Sequence, residues 1–189
     1  MTHPRDERHW YAIYTRPNFE KRIHAELTER GLISFLPLRS TIRLWSDRKK
    51  RIEAPLFPSY LFVHANLKER YESLQTRGAV RMVSFNGEPA RIPEYQIESI
   101  RRILEHGYDP EPFQYLSAGD EVEIVAGPLL GVRGYCVEAR GRHQLVISLA
   151  AIRQSVAVTV ERGQVKKVRS ATAVKQREVS TWRRRLELV

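Results

Sequence analysis

The sequence predicts an α+β domain followed by a small β-barrel, and three observations carry that prediction. Helical and strand patterns alternate up to residue 107 in the order strand, helix, strands, helix, strand, helix. The stretch Gly107-Tyr-Asp-Pro-Glu-Pro-Phe-Gln then mixes prolines, glycine and acids, the composition of a linker. Beyond it lie five short strand patterns at close spacing with almost no helical period, which indicates a small closed barrel. A chain of 189 residues suits one large or two small domains, and 42% hydrophobic residues suffice for a core.

The elements follow in order. His9 to Thr15 (HWYAIYT) is aromatic and β-branched, a strand, which Arg16-Pro17-Asn18 ends. Phe19, Ile23 and Leu27 recur every four residues and give the first helix its apolar stripe, with Gly31 as its stop. Ile33 to Pro37 is a short strand, and Thr41–Trp45 with Arg51–Ala54 flank a polar tip, Ser46 to Lys50, as a projecting basic hairpin. Pro55-Leu-Phe-Pro-Ser-Tyr-Leu-Phe-Val63 is a proline-punctuated turn feeding a strand, because proline has no backbone donor and belongs before a strand. Alternation sends Tyr60 and Phe62 to one face and Leu61 and Val63 to the other. By residue type alone those rings read equally as core or as contact surface.

Leu67, Tyr71 and Leu74 mark a second helix closed at Gly78, Val80 to Phe85 another strand, and Ile97, Ile100 and Leu104 a third helix begun near Pro93. Helices separated by antiparallel-type strands favour an α+β sandwich over a doubly wound sheet. The five later strands are Glu121–Val125, Gly134–Glu138, Gln144–Leu149, Ser155–Val160 and Val165–Val168, divided by Gly127-Pro128, Gly131, Arg140-Gly141-Arg142 and Arg162-Gly163. The domains expected are therefore 1–107, a linker over 108–116, a barrel over 117–169 and a basic tail over 170–189.

Charge is basic overall, 32 Lys plus Arg against 22 Asp plus Glu, and a net +10 favours a polyanionic partner. It is unevenly placed: net +6 over residues 1–107, zero over 108–168 and +4 over 169–189. Nucleic acid would therefore meet the first part or the tail, where Trp182-Arg-Arg-Arg185 reads either as a binding tail or as a frayed terminus. Cys136 is the single cysteine, which excludes an internal disulfide, and it is expected buried and inert in a barrel strand. The six histidines lack zinc-site spacing, so no metal or cofactor is expected. With a polar amino terminus and no apolar run near 18 residues, the expectation is a cytoplasmic protein without a membrane span.

Three segments, taken in order, resemble one family. These are His9 to Thr15, Pro55 to Val63, and Ala118-Gly-Asp-Glu-Val-Glu-Ile-Val-Ala-Gly-Pro-Leu-Leu-Gly-Val-Arg-Gly134. Together they resemble the NusG family of transcription elongation factors, the first two its amino-terminal (NGN) domain and the third its KOW motif. Leu44-Trp-Ser-Asp-Arg-Lys-Lys50 and Phe57-Pro-Ser-Tyr60 look most similar to specialised antiterminators of the UpxY and RfaH kinds. The resemblance implies an NGN-type antiparallel sheet flanked by helices, then an SH3-like KOW barrel. The physics of the motif agrees: Gly127, Gly131 and Gly134 stand where a small barrel must bend.

The family binds the two clamp helices of RNA polymerase through an apolar depression and suppresses pausing or termination. Carried to this chain, the resemblance places that depression at Trp10 or Tyr11, Phe57, Pro58, Tyr60 and Phe62. It implies contact with the non-template DNA strand at Arg16, Arg22 and Arg77, where arginine suits phosphate and guanine. It also implies recruitment of a second protein by the barrel, either Rho or a small-subunit ribosomal protein. Barrel function should sit on loops, around Leu129-Leu130 and Ala150 to Arg153, with Leu129, Leu130 and Ile152 as candidate partner contacts. An enzyme is disfavoured, since no phosphate loop, nucleophile elbow, metal-ligand set or Cys–His pairing is present. The stronger rival is a KOW-type RNA- or ribosome-binding protein, which would bind structured RNA without polymerase.

Overall fold

Residues 6–44, 49–116, 120–139 and 142–169 are described by the structure, a computed structural model. The expected basic hairpin tip and the carboxyl-terminal tail fall largely or wholly outside those residues.

The first sheet is built from β1 (His9–Thr15), β2 (Ile33–Phe35), β5 (Tyr60–Ala65) and β6 (Ala79–Met82), in the order β2-β5-β1-β6. Antiparallel pairing sets Tyr14 opposite Tyr60, Ala12 opposite Phe62 and Trp10 opposite His64. Because side chains alternate, these rings share one face. The other face carries Tyr11, Ile13, Leu61 and Val63, packed in a second cluster with Ile23 and Leu27 of α1 (Glu20–Glu29). Thus the expected helix stripe and the expected split of the Tyr60–Val63 strand both hold. Between β2 and β5, β3 (Leu38–Leu44) and β4 (Lys49–Pro55) form a two-stranded hairpin.

Helix α2 (Leu67–Leu74) begins at Asn66, whose side chain accepts from the Glu69 N–H at 3.0 Å while Glu69 accepts from the Asn66 N–H at 2.9 Å. This reciprocal capping box satisfies two orphan donors. The apolar stripe read from the sequence is not what this helix buries: Leu67 and Tyr71 are exposed, and Ser73 is the buried residue. An eight-residue helix at the sheet margin covers too little surface to hide a full stripe.

Arg8 also grips Glu69, with its Nε 2.9 Å from Oε2. The hydrogen bond from Arg8 holds the Glu69 carboxyl below the usual carboxylate range. Asn66→Ala is expected to cost about 1 kcal/mol in urea unfolding at pH 7. A depressed folded-state value means stabilisation present above the unfolded value and lost as pH falls through the folded one. The capping contribution should accordingly shrink in the same titration at pH 3, and a variant as stable as wild type at pH 7 would refute it.

A small hairpin, β7 (Ser84–Phe85) with β8 (Glu88–Pro89), leads to α3 (Glu94–Glu105). Ile97, Ile100 and Ile103 are the buried stripe of α3 and lie in the cluster that holds Trp10, Phe57 and Phe62.

The second sheet contains β9 (Glu111–Phe113), β10 (Asp120–Ile124), β11 (Arg133–Ala139), β12 (Arg142–Leu149), β13 (Gln154–Thr159) and β14 (Val165–Arg169). Each of the five strands read from the sequence is present. Two features differ from expectation. The segment expected as a plain linker contributes β9, which pairs with β13. The ladder, β14-β10-β11-β12-β13-β9, does not close among the described residues, since the outer edge of β13 is taken by β9.

Gly127 and Gly131 have φ of 80° and 82°, left-handed values that glycine takes without steric cost. Cys136 sits in β11 half-buried, and burial, aided by Asp120, pushes its thiol up, which keeps it protonated.

The two sheets meet across α3. Its cluster continues into Val122, Leu129, Val132, Leu145 and Ile147 of the second sheet and its loops. The Arg102 guanidinium donates to the Leu130 carbonyl, and Tyr95 and Gln96 line a small cleft opposite Gly134, Tyr135 and Ser148.

Candidate polymerase-binding face

The turn before β5 explains how the Phe57-to-Phe62 segment is presented. Tyr60 N–H donates to the Phe57 carbonyl at 3.1 Å, closing a turn with Pro58 second and Ser59 third. Ser59 takes φ of 65°, a left-handed value costly for a residue with a Cβ. Two contacts offset that cost. The Ser59 N–H donates to the buried Glu20 carboxylate at 2.7 Å, and its carbonyl accepts from the Thr15 N–H at 2.9 Å. Helix α1 and strand β1 therefore fix the turn from one side, and Phe57 is thrust inward from it.

Inward placement sorts the rings that sequence left open. Phe57 and Phe62 are 1% and 0% exposed and meet edge to face, 5.8 Å between centroids at 87°. They form a floor. Trp10 is also buried, stacked on His64 at 5.1 Å. Tyr11 lies on the opposite face of the sheet beneath the Arg70 guanidinium, 4.9 Å from its ring centre, so it cannot share a surface with Phe62. Pro58 is exposed at the turn, and Tyr60 is half-buried.

Two neighbours that sequence reasoning passed over complete the surface. Tyr14 is half-buried 5.4 Å from Tyr60, with the Arg81 guanidinium 5.5 Å above its ring. Phe35, also half-buried, packs 6.3 Å from Phe62, and Arg101 of α3 lies over both Phe35 and Trp10. Tyr14 was legible, being two residues beyond Ala12 and four beyond Trp10 on one strand. Phe35 was not, because its place depends on β2 pairing with β5.

Arg16, Arg22 and Arg77 are all exposed. The Arg16 N–H donates to the Gly78 carbonyl at 2.9 Å, which brings the end of β1 to the turn bearing Arg77. Phe19, just ahead of α1, packs against Gly78 at the same end of the sheet, and Arg22 follows on the first turn of that helix. This end carries positive charge without a buried partner, as phosphate contact requires.

With this geometry set out, comparison with known proteins decides the family. A family model described as transcription termination factor nusG matches residues 8–101, the segment that folds into the first sheet and its helices. The chain belongs to the NusG family. A relative from Thermus thermophilus, the transcription termination/antitermination protein NusG, is 26% identical over 163 residues, covering 74% of this chain and 89% of its own. The protein of the same description from Helicobacter pylori is 23% identical over 175 residues, covering 84% and 98%. Among solved structures, that of the domain interaction in Thermotoga maritima NusG is 20% identical with a TM-score of 0.49, covering 86% of this chain and 98% of its own. An MjSpt4:Spt5 complex is 21% identical with a TM-score of 0.26, covering 86% and 98%.

NusG-family members are transcription factors, and this chain's described residues contain no group of three or more His, Cys, Asp or Glu able to hold a metal. No helix among them is long and apolar enough to cross a membrane.

In the KOW-like sheet of this NusG-family chain, the residues expected on partner-facing loops are placed otherwise. Leu129 and Ile152 are 3% and 7% exposed and belong to the core, because each loop folds its aliphatic side chain back over the sheet. Leu130 is exposed at its side chain, while its carbonyl is held by Arg102. That loop faces α3 as well as solvent.

Proposed function

We propose that this chain is a transcription elongation and antitermination factor that grips the clamp helices of RNA polymerase with Tyr60 and its half-buried neighbours Tyr14 and Phe35. The observation that carries the reading is one aromatic surface, half open to solvent, laid on the rigid floor of Phe57 and Phe62. Rings held this way lose little entropy on binding and bury large areas, and Tyr keeps a polar tip for a helix backbone or side chain. The basic end at Arg16, Arg22 and Arg77 would then lie along exposed non-template DNA. The second sheet would recruit a protein partner, a small-subunit ribosomal protein or Rho. The pattern Phe57-Pro-Ser-Tyr60, which this turn strains at Ser59, supports the specialised antiterminator reading.

Tyr60→Ala tests it. Burial of one such ring contributes about 1.5–3 kcal/mol, so retention of the full chain on tagged polymerase core should weaken by roughly tenfold or more. The thermal midpoint should stay close to wild type, because Tyr60 is only half-buried. Retention equal to wild type would sink the assignment. Performing the pull-down with and without nuclease separates the RNA-binding rival, which predicts loss with nuclease and affinity for structured RNA alone.

A further inference from the structure

The segment between the two sheets is bound along its length. The Tyr108 N–H donates to the Ile103 carbonyl at 3.1 Å, and Pro110 is buried. Glu111, Pro112 and Phe113 pair with Ala157, Val156 and Ser155 of β13. The Leu116 N–H donates to Ser155 Oγ at 3.3 Å, and Ser155 Oγ is in turn 2.7 Å from Ser148 Oγ on β12. Arg153, held at φ of 52°, places its guanidinium 5.7 Å from the Tyr115 ring centre. Ladder, hydroxyl and cation–ring contacts thus hold one short stretch by three different chemistries.

The attachment is also built to be released. Its ladder is three residues long, Pro112 has no N–H to offer, and Glu111, Pro112 and Gln114 are exposed. Little apolar surface is hidden by docking it.

Docking changes the reach between the sheets. With β9 in place, only residues 106–110 separate α3 from the second sheet, a span of about 20 Å at full extension. With β9 released, residues 106–119 are available before β10, and the span becomes about 50 Å. The first distance confines the second sheet to the α3 face where Arg102 holds Leu130. The second allows it to leave that face altogether.

We propose that residues 111–116 are a latch: docked on β13 they hold the second sheet against α3, and their release gives that sheet its freedom of movement. A partner strand that pairs with β13 would act by displacing them. The latch stands independently of whether polymerase is the partner.

Distance measurement between spin labels on the full chain tests this, with Glu105→Cys and Arg162→Cys in a Cys136→Ala background, both labelled positions being exposed. The native linker should give one narrow distance. Replacing Pro112, Phe113 and Tyr115 by Gly should broaden it by more than about 10 Å, within the reach gained. Ser155→Ala, which removes only the hydroxyl contact, should broaden it less; it is the deciding variant if the triple substitution unfolds the sheet. A broad distribution in the native chain, or an unchanged one in both variants, would overturn the latch.

Discussion

Phe57→Ala is expected to cost about 3–5 kcal/mol in urea unfolding, as is Phe62→Ala, enough to consume much of the stability of a domain this size. Both rings are essentially without solvent contact, they meet edge to face, and Leu56, Ile97 and Ile100 belong to the same cluster. Removing either leaves a cavity that a turn pinned by Glu20 and Thr15 cannot collapse to fill. The comparison with Tyr60→Ala is the informative one. If Phe57→Ala costs under 1 kcal/mol while Tyr60→Ala unfolds the protein, the assignment of floor and surface is reversed. A loss of polymerase binding in Phe57→Ala reports loss of the fold first, so it is not a test of contact.

The second large effect is expected at Gly134→Ala. A Cβ built at this position in β11 would stand 2.5 Å from the Val146 carbonyl oxygen and 3.1 Å from a methyl of Leu145. The obstacle is backbone in a paired central strand, so relief requires opening the β11–β12 ladder. Such overpacking costs about 1–3 kcal/mol and more where the neighbour cannot shift. Proteolysis of the second sheet, or amide exchange of β12, should accelerate while β1 and β5 retain their protection. Unchanged exchange at Val146 and Ile147 would refute the close approach. Gly163→Ala is the control, for nothing lies within 4 Å of its Cβ position.

What was legible in the sequence follows from local physics. Alternation put Tyr60 and Phe62 on one face and Leu61 and Val63 on the other, and the four-residue spacing of Phe19, Ile23 and Leu27 gave α1 its inward stripe. The same logic failed for Leu67 and Tyr71, because a period states which residues share a face and not whether anything covers it. It failed at Leu129 and Ile152 for the converse reason: a loop position suggested exposure, and the loop folded its side chain inward. Trp10 and Tyr11 were interchangeable as adjacent aromatics until pairing with β5 assigned them opposite faces.

By itself, the sequence determined the α+β order, the five later strands, the turn at Pro58-Ser59 and the family to which these belong. Each depends on residues within a few positions of one another, or on a pattern of types carried along the chain. Tertiary structure alone decided that Phe57 and Phe62 are floor and Tyr14, Phe35 and Tyr60 surface. It also decided that the apparent linker is a strand on β13 and that Arg102 ties α3 to Leu130. Those outcomes turn on which distant surfaces meet, and burial is a property of the pair that meets rather than of either residue.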